Sequence, residues 1–152
     1  MTHTDWTQLD FEDFMALWRK MRVDLPVLSA EELGSHLREK FARFPIETGK
    51  TLDPYSPSNW PSPWEQITDS LFCSCGLGVF LYYTISLSDS YADDDFGIYY
   101  VEKEGYDRIV IVNNTHGWFI DTLTYDGGTV SDLQVGKILA SYSSQDLPRY
   151  NN

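Results

Sequence analysis

Between Leu71 and Leu87 the chain reads LFCSCGLGVFLYYTISL, a run of almost exclusively apolar and small residues. Such a run has no polar side to expose to water, so we expect it to lie in the interior with other elements around it. Periodicity alone does not separate a buried helix from a buried strand. The length of the run favours a central helix over residues 75–86, although its β-branched and aromatic residues are more typical of strands. It is too short to span a bilayer, which needs about 18 or more apolar residues.

Three helices are predicted ahead of this run. The first ends before Pro26, and its apolar residues recur at helical spacing: Phe11, Phe14, Met15, Trp18 and Met21. The second begins at a capping box formed by Ser29 and Glu32 and stops at Pro45. A third, short helix begins at the sequence SPWE of residues 62–65, which has a serine cap followed by proline and glutamate. The first two helices are predicted to form an αα-hairpin.

The last third of the chain changes to the alternating pattern of strands. Three segments rich in Ile, Val, Tyr and Phe are predicted to form an antiparallel meander: Phe96–Lys103, Arg108–Asn113 and Trp118–Tyr125. Residues 104–107 and 114–117 are typical hairpin turns, and Asp126-Gly127-Gly128 is predicted to turn the chain again. The sequence SDLQ at residues 131–134 resembles another helix cap and predicts a short C-terminal helix through Ala140. The fold class expected from these elements is α+β.

A proline-rich loop, residues 45–63, follows the second helix. Aromatic residues among its prolines indicate a loop packed against the body of the protein rather than a mobile linker. We therefore predict one domain over residues 1–152, in which a helical hairpin of residues 1–45 packs on an α+β body of residues 46–152.

Three aromatic residues in and after this loop are candidate binding residues: Tyr55, Trp60 and Trp64. Exposed tyrosine and tryptophan side chains act as anchors in protein interfaces because they bury a large area on binding.

The net charge of the chain is −12, and it is unevenly distributed. Residues 1–50 contain nine acidic and seven basic residues, whereas residues 51–152 contain fourteen acidic and four basic residues. We expect this C-terminal part to repel nucleic acids and anionic membranes, and to suit a basic protein partner. An acidic surface also serves solubility alone.

Two features of the chain point to a reducing compartment. The N-terminal sequence MTHTDWTQLDFEDF has neither the basic nor the apolar segment of a signal peptide. Cys73 and Cys75 are separated by a single residue, which does not suit an ordinary disulfide bond. We therefore expect two reduced thiols in a protein that is not secreted through a signal peptide.

One grouping typical of an enzyme can be assembled from the chain, namely a cysteine with a histidine and a carboxylate. Cys73 or Cys75 would supply the thiolate near the start of the central helix, His116 the imidazole, and Asp121 the group that orients it. This order resembles transglutaminase-like and papain-like domains. Asp121, however, lies only five residues after His116 on the same predicted strand, and such positions face opposite sides of a sheet. The alternative, which we favour, is that the thiols fill a tight helix crossing and that His116 is a polar turn residue. No cofactor is predicted.

Four carboxylates occur within the segment DSYADDD at residues 89–95. The oxygens of Asp89, Asp93 and Asp95 are the kind of ligand that Ca²⁺ takes. The segment lacks the glycine and the final glutamate of an EF-hand loop, so we predict a solvated acidic loop rather than a metal site.

The segment WPSPWE at residues 60–65, followed by Phe72-Cys73, Gly78 and Tyr83-Thr84-Ile85, resembles a family of small, functionally uncharacterised proteins of tailed bacteriophages. The resemblance is close over about 25 residues and loose over residues 60–126, and it does not include the first 45 residues. It implies a phage gene product that acts in the virion or in the host cytoplasm, and it implies no activity.

Three functions follow from these observations. The first is a non-enzymatic phage protein that acts through protein–protein contacts, as a minor virion component or an intracellular accessory factor. The second is an acidic inhibitor that mimics nucleic acid before a host nucleic-acid-binding protein. The third is a cysteine hydrolase or transferase of transglutaminase-like layout.

Overall fold

The apolar run forms a helix in the computed structural model, which describes residues 6–46, 52–69, 72–132 and 136–150. This helix is one of four α-helices in the described residues: α1 (Phe11–Asp24), α2 (Ala30–Phe41), α3 (Pro63–Asp69) and α4 (Ser74–Ser86). Every residue of α4 from Gly76 to Ile85 is buried, which explains why the run has no polar face. The prediction of a central helix is therefore confirmed.

The strands form one antiparallel sheet of five, in the order β4-β3-β2-β1-β5: β1 (Phe96–Lys103), β2 (Tyr106–Asn113), β3 (Trp118–Asp121), β4 (Gly127–Thr129) and β5 (Lys137–Ser143). Alternate side chains point to opposite faces. Ile98, Ile111 and Ile120 pack with the helices in the main core, whereas Val101, Val110 and Val112 form a small cluster on the outer face. The fold class is thus α+β, as predicted.

The two N-terminal helices have different packing partners. α1 packs mainly against α3 and α4, whereas α2 packs against β3 and β4. The helices are therefore present as predicted, but their principal contacts are with the body of the protein rather than with each other. Gly34 makes the α2 contact possible, because a Cβ atom at this position would lie 2.1 Å from the carbonyl oxygen of Tyr125.

The buried face of α1 is the predicted one except at its first residue, since Phe14, Met15, Trp18 and Met21 pack in or against the core. Phe11 is 51% exposed, whereas Arg22, which is near the charged end of the helix, is 6% exposed. The Arg22 guanidinium lies 4.1 Å from the ring centroid of Trp18 and 5.9 Å from that of Trp64. Cation–π contact with these rings accounts for the burial of a charged side chain.

The C-terminal part differs most from the prediction. The third strand ends at Asp121 instead of Tyr125. The turn predicted at Asp126–Gly128 lies earlier in the chain, at residues 122–124, because Gly127 and Gly128 already pair with β3 as part of β4. The predicted C-terminal helix through Ala140 is wrong, because Lys137–Ser143 forms β5 and pairs with β1. Gly136 has φ +70°, a conformation that does not continue a helix. Ser131, the predicted cap residue, lies in a 3-10 helix. Residues 133–135 of the predicted C-terminal helix lie outside the described residues.

Candidate functional site

The acidic loop, residues 89–95, connects α4 to β1 and is anchored by a buried tyrosine. The ring of Tyr91 meets those of Phe96 and Trp118 edge-on in the core. Its hydroxyl accepts the backbone N–H of Leu28 at 3.0 Å. The loop is therefore held against both the sheet and the segment between α1 and α2.

Two carboxylates of the acidic loop are held by uncharged donors. Asn113 Nδ2 donates to Asp94 Oδ2 at 2.9 Å, and Asn114 Nδ2 donates to Asp95 Oδ2 at 3.2 Å. Ser144 Oγ donates to the other oxygen of Asp95 at 2.9 Å. These donors fix the positions of the carboxylates without neutralising their negative charge.

His116 contacts the same loop. Its Nε2 lies 3.4 Å from Oδ1 of Asp94, and its side chain is 62% exposed. The backbone N–H of His116 donates to Asn113 Oδ1 at 2.9 Å. The carboxylate beside this histidine is therefore that of Asp94, not that of Asp121.

The carboxylates considered as calcium ligands, those of Asp89, Asp93 and Asp95, do not converge. Asp89 and Asp93 are exposed, and Asp95 is bound by the amide and hydroxyl donors of the adjacent turn and C-terminal segment. Within the described ranges of the chain, no three His, Cys, Asp or Glu side chains are grouped to hold a metal ion. The loop therefore presents separate carboxylates to solvent.

Both thiols are free and lie at the N-terminal end of α4. Cys73 caps the helix, since its Sγ accepts the backbone N–H of Gly76 at 3.2 Å and that of Leu52 at 3.4 Å. Burial, with smaller contributions from Cys73 and Asp107, raises the pKa of the Cys75 thiol to about 11. A thiol with a raised pKa carries little thiolate near neutral pH, so Cys75 is a weak nucleophile.

Cys75 and His116 lie near opposite ends of α4. This helix has 13 residues, which corresponds to a length of about 20 Å at 1.5 Å per residue. Cys75 is in its first turn, whereas His116 contacts the acidic loop that follows its last turn. A base must come within about 3 Å of the proton that it removes, or within one water molecule of it. The structure therefore does not bring the predicted catalytic residues together.

Asp121 has a structural partner on the outer face of the sheet. Arg108 Nη1 donates to Asp121 Oδ2 at 2.9 Å, and the two side chains are 5% and 11% exposed. The second oxygen of Asp121 accepts the backbone N–H of Leu123 at 2.8 Å. This aspartate neutralises a buried guanidinium and stabilises the turn after β3.

The three predicted binding residues have different surroundings. Tyr55 is 58% exposed, and its ring meets that of Tyr100 edge-on with centroids 5.4 Å apart. Trp60 is 5% exposed and donates its indole N–H to a backbone carbonyl of the loop at 2.6 Å. Trp64 packs edge-on against Trp18 at 5.4 Å. Tyr55 is thus the most accessible of the three, and Trp60 and Trp64 hold the loop and α3 in place.

The residues that hold the acidic loop were not predicted from the sequence. Asn113 is the last residue of β2, Asn114 and Thr115 follow it, and Thr115 Oγ1 accepts the backbone N–H of Asp95 at 2.7 Å. The signal in the sequence is a run of amide and hydroxyl residues at the end of β2. Its partners are about 20 residues away, so no local pattern connects the two segments.

Comparisons of this chain with protein-family models, with curated proteins and with solved structures find no match. No helix in the described residues is long and apolar enough to cross a membrane.

Proposed function

We propose that this protein is a non-enzymatic bacteriophage protein that binds a basic protein partner through its acidic loop. The observation that carries the proposal is the set of carboxylates in this loop, two of which are held in place by hydrogen bonds, with the exposed imidazole of His116 3.4 Å from one of them. Asp94 and Asp95 are held by uncharged donors, and Asp89 and Asp93 are exposed beside them. Carboxylates that are already in position lose little conformational entropy when they bind lysine or arginine. They also attract a basic partner over a distance and so increase the association rate.

The phage assignment is supported by the resemblance of residues 60–65 to small proteins of tailed bacteriophages. In this fold the same residues begin α3. Glu65 N–H donates to Ser62 Oγ at 3.1 Å, and Ser62 N–H donates to Glu65 Oε1 at 3.0 Å. Mass spectrometry of purified phage particles decides between the two expected roles. Detection in the particle supports a minor virion component, and absence from the particle supports an intracellular accessory factor.

Affinity capture from infected cells tests binding to a basic partner. A variant with Asp89→Asn, Asp93→Asn and Asp95→Asn removes three charges from the acidic loop. A matched control removes three exposed charges elsewhere, with Glu12→Gln, Glu102→Gln and Asp126→Asn. We expect the wild type and the control to capture the same basic protein, and the loop variant to lose it. Equal capture by all three proteins, or capture of acidic proteins only, would contradict the proposal.

Salt tests whether the captured contact is ionic, and competition by double-stranded DNA distinguishes the two kinds of basic partner. Ionic contacts at the protein surface weaken as salt is added, because the Debye length falls from about 10 Å at 0.1 M to about 3 Å at 1 M. If the protein mimics nucleic acid, double-stranded DNA will compete with it for the captured partner. Capture that DNA leaves unchanged supports an accessory or virion contact instead.

A further inference from the structure

A cavity of about 310 Å³ opens beside the acidic loop. It lies between the last turn of α4, the start of β1 and the C-terminal segment around residues 144–150. Four aromatic side chains form much of its wall: Tyr82, Tyr83, Phe96 and Tyr150. Asp94 and Asp95 of the acidic loop also line it. The cavity therefore combines aromatic rings with two negative charges.

The aromatic rings pack against one another at the edge of the cavity. The ring centroids of Tyr82 and Tyr83 are 4.9 Å apart, and those of Tyr83 and Tyr150 are 5.0 Å apart. Phe96 extends this packing, with its centroid 6.3 Å from that of Tyr82. The face of an aromatic ring is the negative part of its quadrupole and attracts a cation within about 6 Å.

Tyr82 is a buried polar residue whose hydrogen-bonding capacity the fold does not use. It is 5% exposed and lines the cavity. Within the described part of the chain its hydroxyl has no hydrogen-bond partner, whereas the neighbouring Tyr83 donates its hydroxyl to the carbonyl oxygen of Pro148 at 2.6 Å. Because no group of the described residues bonds to this hydroxyl, it is available to a ligand in the cavity.

The remaining charges near the cavity favour a cation as the ligand. The last turn of α4 carries the negative end of the helix dipole. Arg149 also lines the cavity, but it is exposed and forms no ion pair with the other described residues. Neither Asp94 nor Asp95 is therefore paired with this guanidinium, although the exposed imidazole of His116 lies 3.4 Å from Asp94 Oδ1.

We propose that this cavity binds one cationic side chain, a lysine or an arginine, of the basic protein partner. The inference deepens the proposed function and rests on it. An ammonium or guanidinium group would donate to the two carboxylates and to the Tyr82 hydroxyl, while its aliphatic stem packs on the rings. The acidic loop then attracts the partner, and the cavity fixes the position of one of its residues.

Nuclear magnetic resonance titration of the full chain tests the cavity directly. The probes are Nα-acetyl-lysine amide, Nα-acetyl-arginine amide and the uncharged Nα-acetyl-norleucine amide. We expect saturable shifts at Tyr82, Tyr83, Phe96, Ser144 and Tyr150 with the two cations. The norleucine probe is expected to bind at least about tenfold more weakly, because it cannot bond to the carboxylates. Equal binding of all three probes, or unsaturable shifts spread over the surface, would overturn the proposal.

Three substitutions sharpen this test. Asp95→Asn removes a charge from the cavity and is expected to weaken binding of the cationic probes about tenfold. Asp93→Asn, in the same loop but outside the cavity lining, is the matched control, with an expected change of about twofold or less. Arg149→Gln removes the competing positive charge and is expected to strengthen binding by about twofold to fivefold. Arg149→Gln keeps the test decisive even if Asp95→Asn disturbs the loop. Unchanged or weaker binding of the cationic probes to the Arg149→Gln variant would refute the proposal.

The two proposals fail in different ways. If the cationic probes bind the cavity but no basic protein is captured through the acidic loop, the proposed function fails and the cavity assignment survives. If a basic protein is captured and the probes leave the cavity unchanged, the cavity assignment alone fails.

Discussion

Tyr82 and Tyr83 are neighbours in α4 with rings 4.9 Å apart, yet only one of their hydroxyl groups is used by the fold. Tyr83 donates to the carbonyl oxygen of Pro148 at 2.6 Å, and the Tyr82 hydroxyl has no partner among the described residues. The Tyr83 hydroxyl therefore holds the C-terminal segment, whereas the Tyr82 hydroxyl is available to a ligand. It gives the cavity beside the acidic loop a directional hydrogen-bonding group as well as its charge.

Removing these hydroxyls separately should have unequal effects on stability. Tyr83→Phe loses the hydrogen bond to the carbonyl oxygen of Pro148, and we expect the free energy of unfolding to fall by about 1 kcal/mol. Tyr82→Phe loses no bond of the fold, so we expect a change within about 0.5 kcal/mol. Urea unfolding measures both. A larger loss in Tyr82→Phe than in Tyr83→Phe would show that the Tyr82 hydroxyl serves the fold.

Breaking the ion pair of Arg108 and Asp121 should be strongly destabilising. Asp121→Asn leaves a buried guanidinium without its negative partner, and such changes cost about 3–5 kcal/mol. Asp24→Asn is the control, because the Lys20–Asp24 pair is exposed, and exposed pairs contribute little to stability. Equal losses of unfolding free energy in the two variants would mean that the Arg108 charge is not buried in solution.

Gly34→Ala reverses the usual effect of alanine in a helix. Alanine is normally favoured over glycine within a helix by about 1 kcal/mol. Here the new Cβ atom would lie 2.1 Å from the carbonyl oxygen of Tyr125, a backbone atom that no side-chain rotation can move away. We expect thermal unfolding to show a loss of about 2 kcal/mol or more, because α2 must shift from the sheet. The exposed neighbouring position provides the control, since Ser35→Ala should be neutral or stabilising. A stabilised Gly34→Ala variant would contradict the close contact.

Cys75 should react slowly near neutral pH. The raised pKa of Cys75, about 11, lowers its thiolate fraction near neutral pH, because burial disfavours the charged thiolate. In a Cys73→Ser variant, which retains a capping oxygen, we expect iodoacetamide to modify Cys75 at least about tenfold more slowly than in the same protein unfolded in urea. The rate should rise as the pH approaches about 11. A fast reaction of the folded protein near neutral pH would support the cysteine enzyme instead.

The parts of this fold that the sequence predicted well are those fixed by neighbouring residues. The capping serine of α2 bonds three residues ahead, and the hairpin between β1 and β2 needs only Glu104 and Gly105, both with positive φ. The C-terminal strand was missed because its partner is remote: Ile138 pairs with Val101, and the cap-like pattern before it is the stronger local signal.

The candidate site was predicted in its residue types but not in its geometry. The acidic loop is visible in the sequence as DSYADDD, whereas its contacts with Asn113 and Asn114 depend on how β2 follows β1 in the sheet. The burial of Arg22 has a similar cause, because its aromatic partners come from two different helices. His116 was grouped with Asp121 only because of their order along the chain. In the structure, the carboxylate beside the histidine is that of Asp94.

Zero-length carbodiimide coupling of the protein to its captured partner tests the central claim most directly, because it joins carboxylates to lysine amines only where the two are in contact. Mass spectrometry then identifies the coupled residues on both chains. We predict that Asp93, Asp94 or Asp95 is joined to a lysine of a basic partner. We also predict that these cross-links disappear in the variant with Asp89→Asn, Asp93→Asn and Asp95→Asn. Cross-links confined to acidic residues of α1 and α2, with none in the acidic loop, would contradict it.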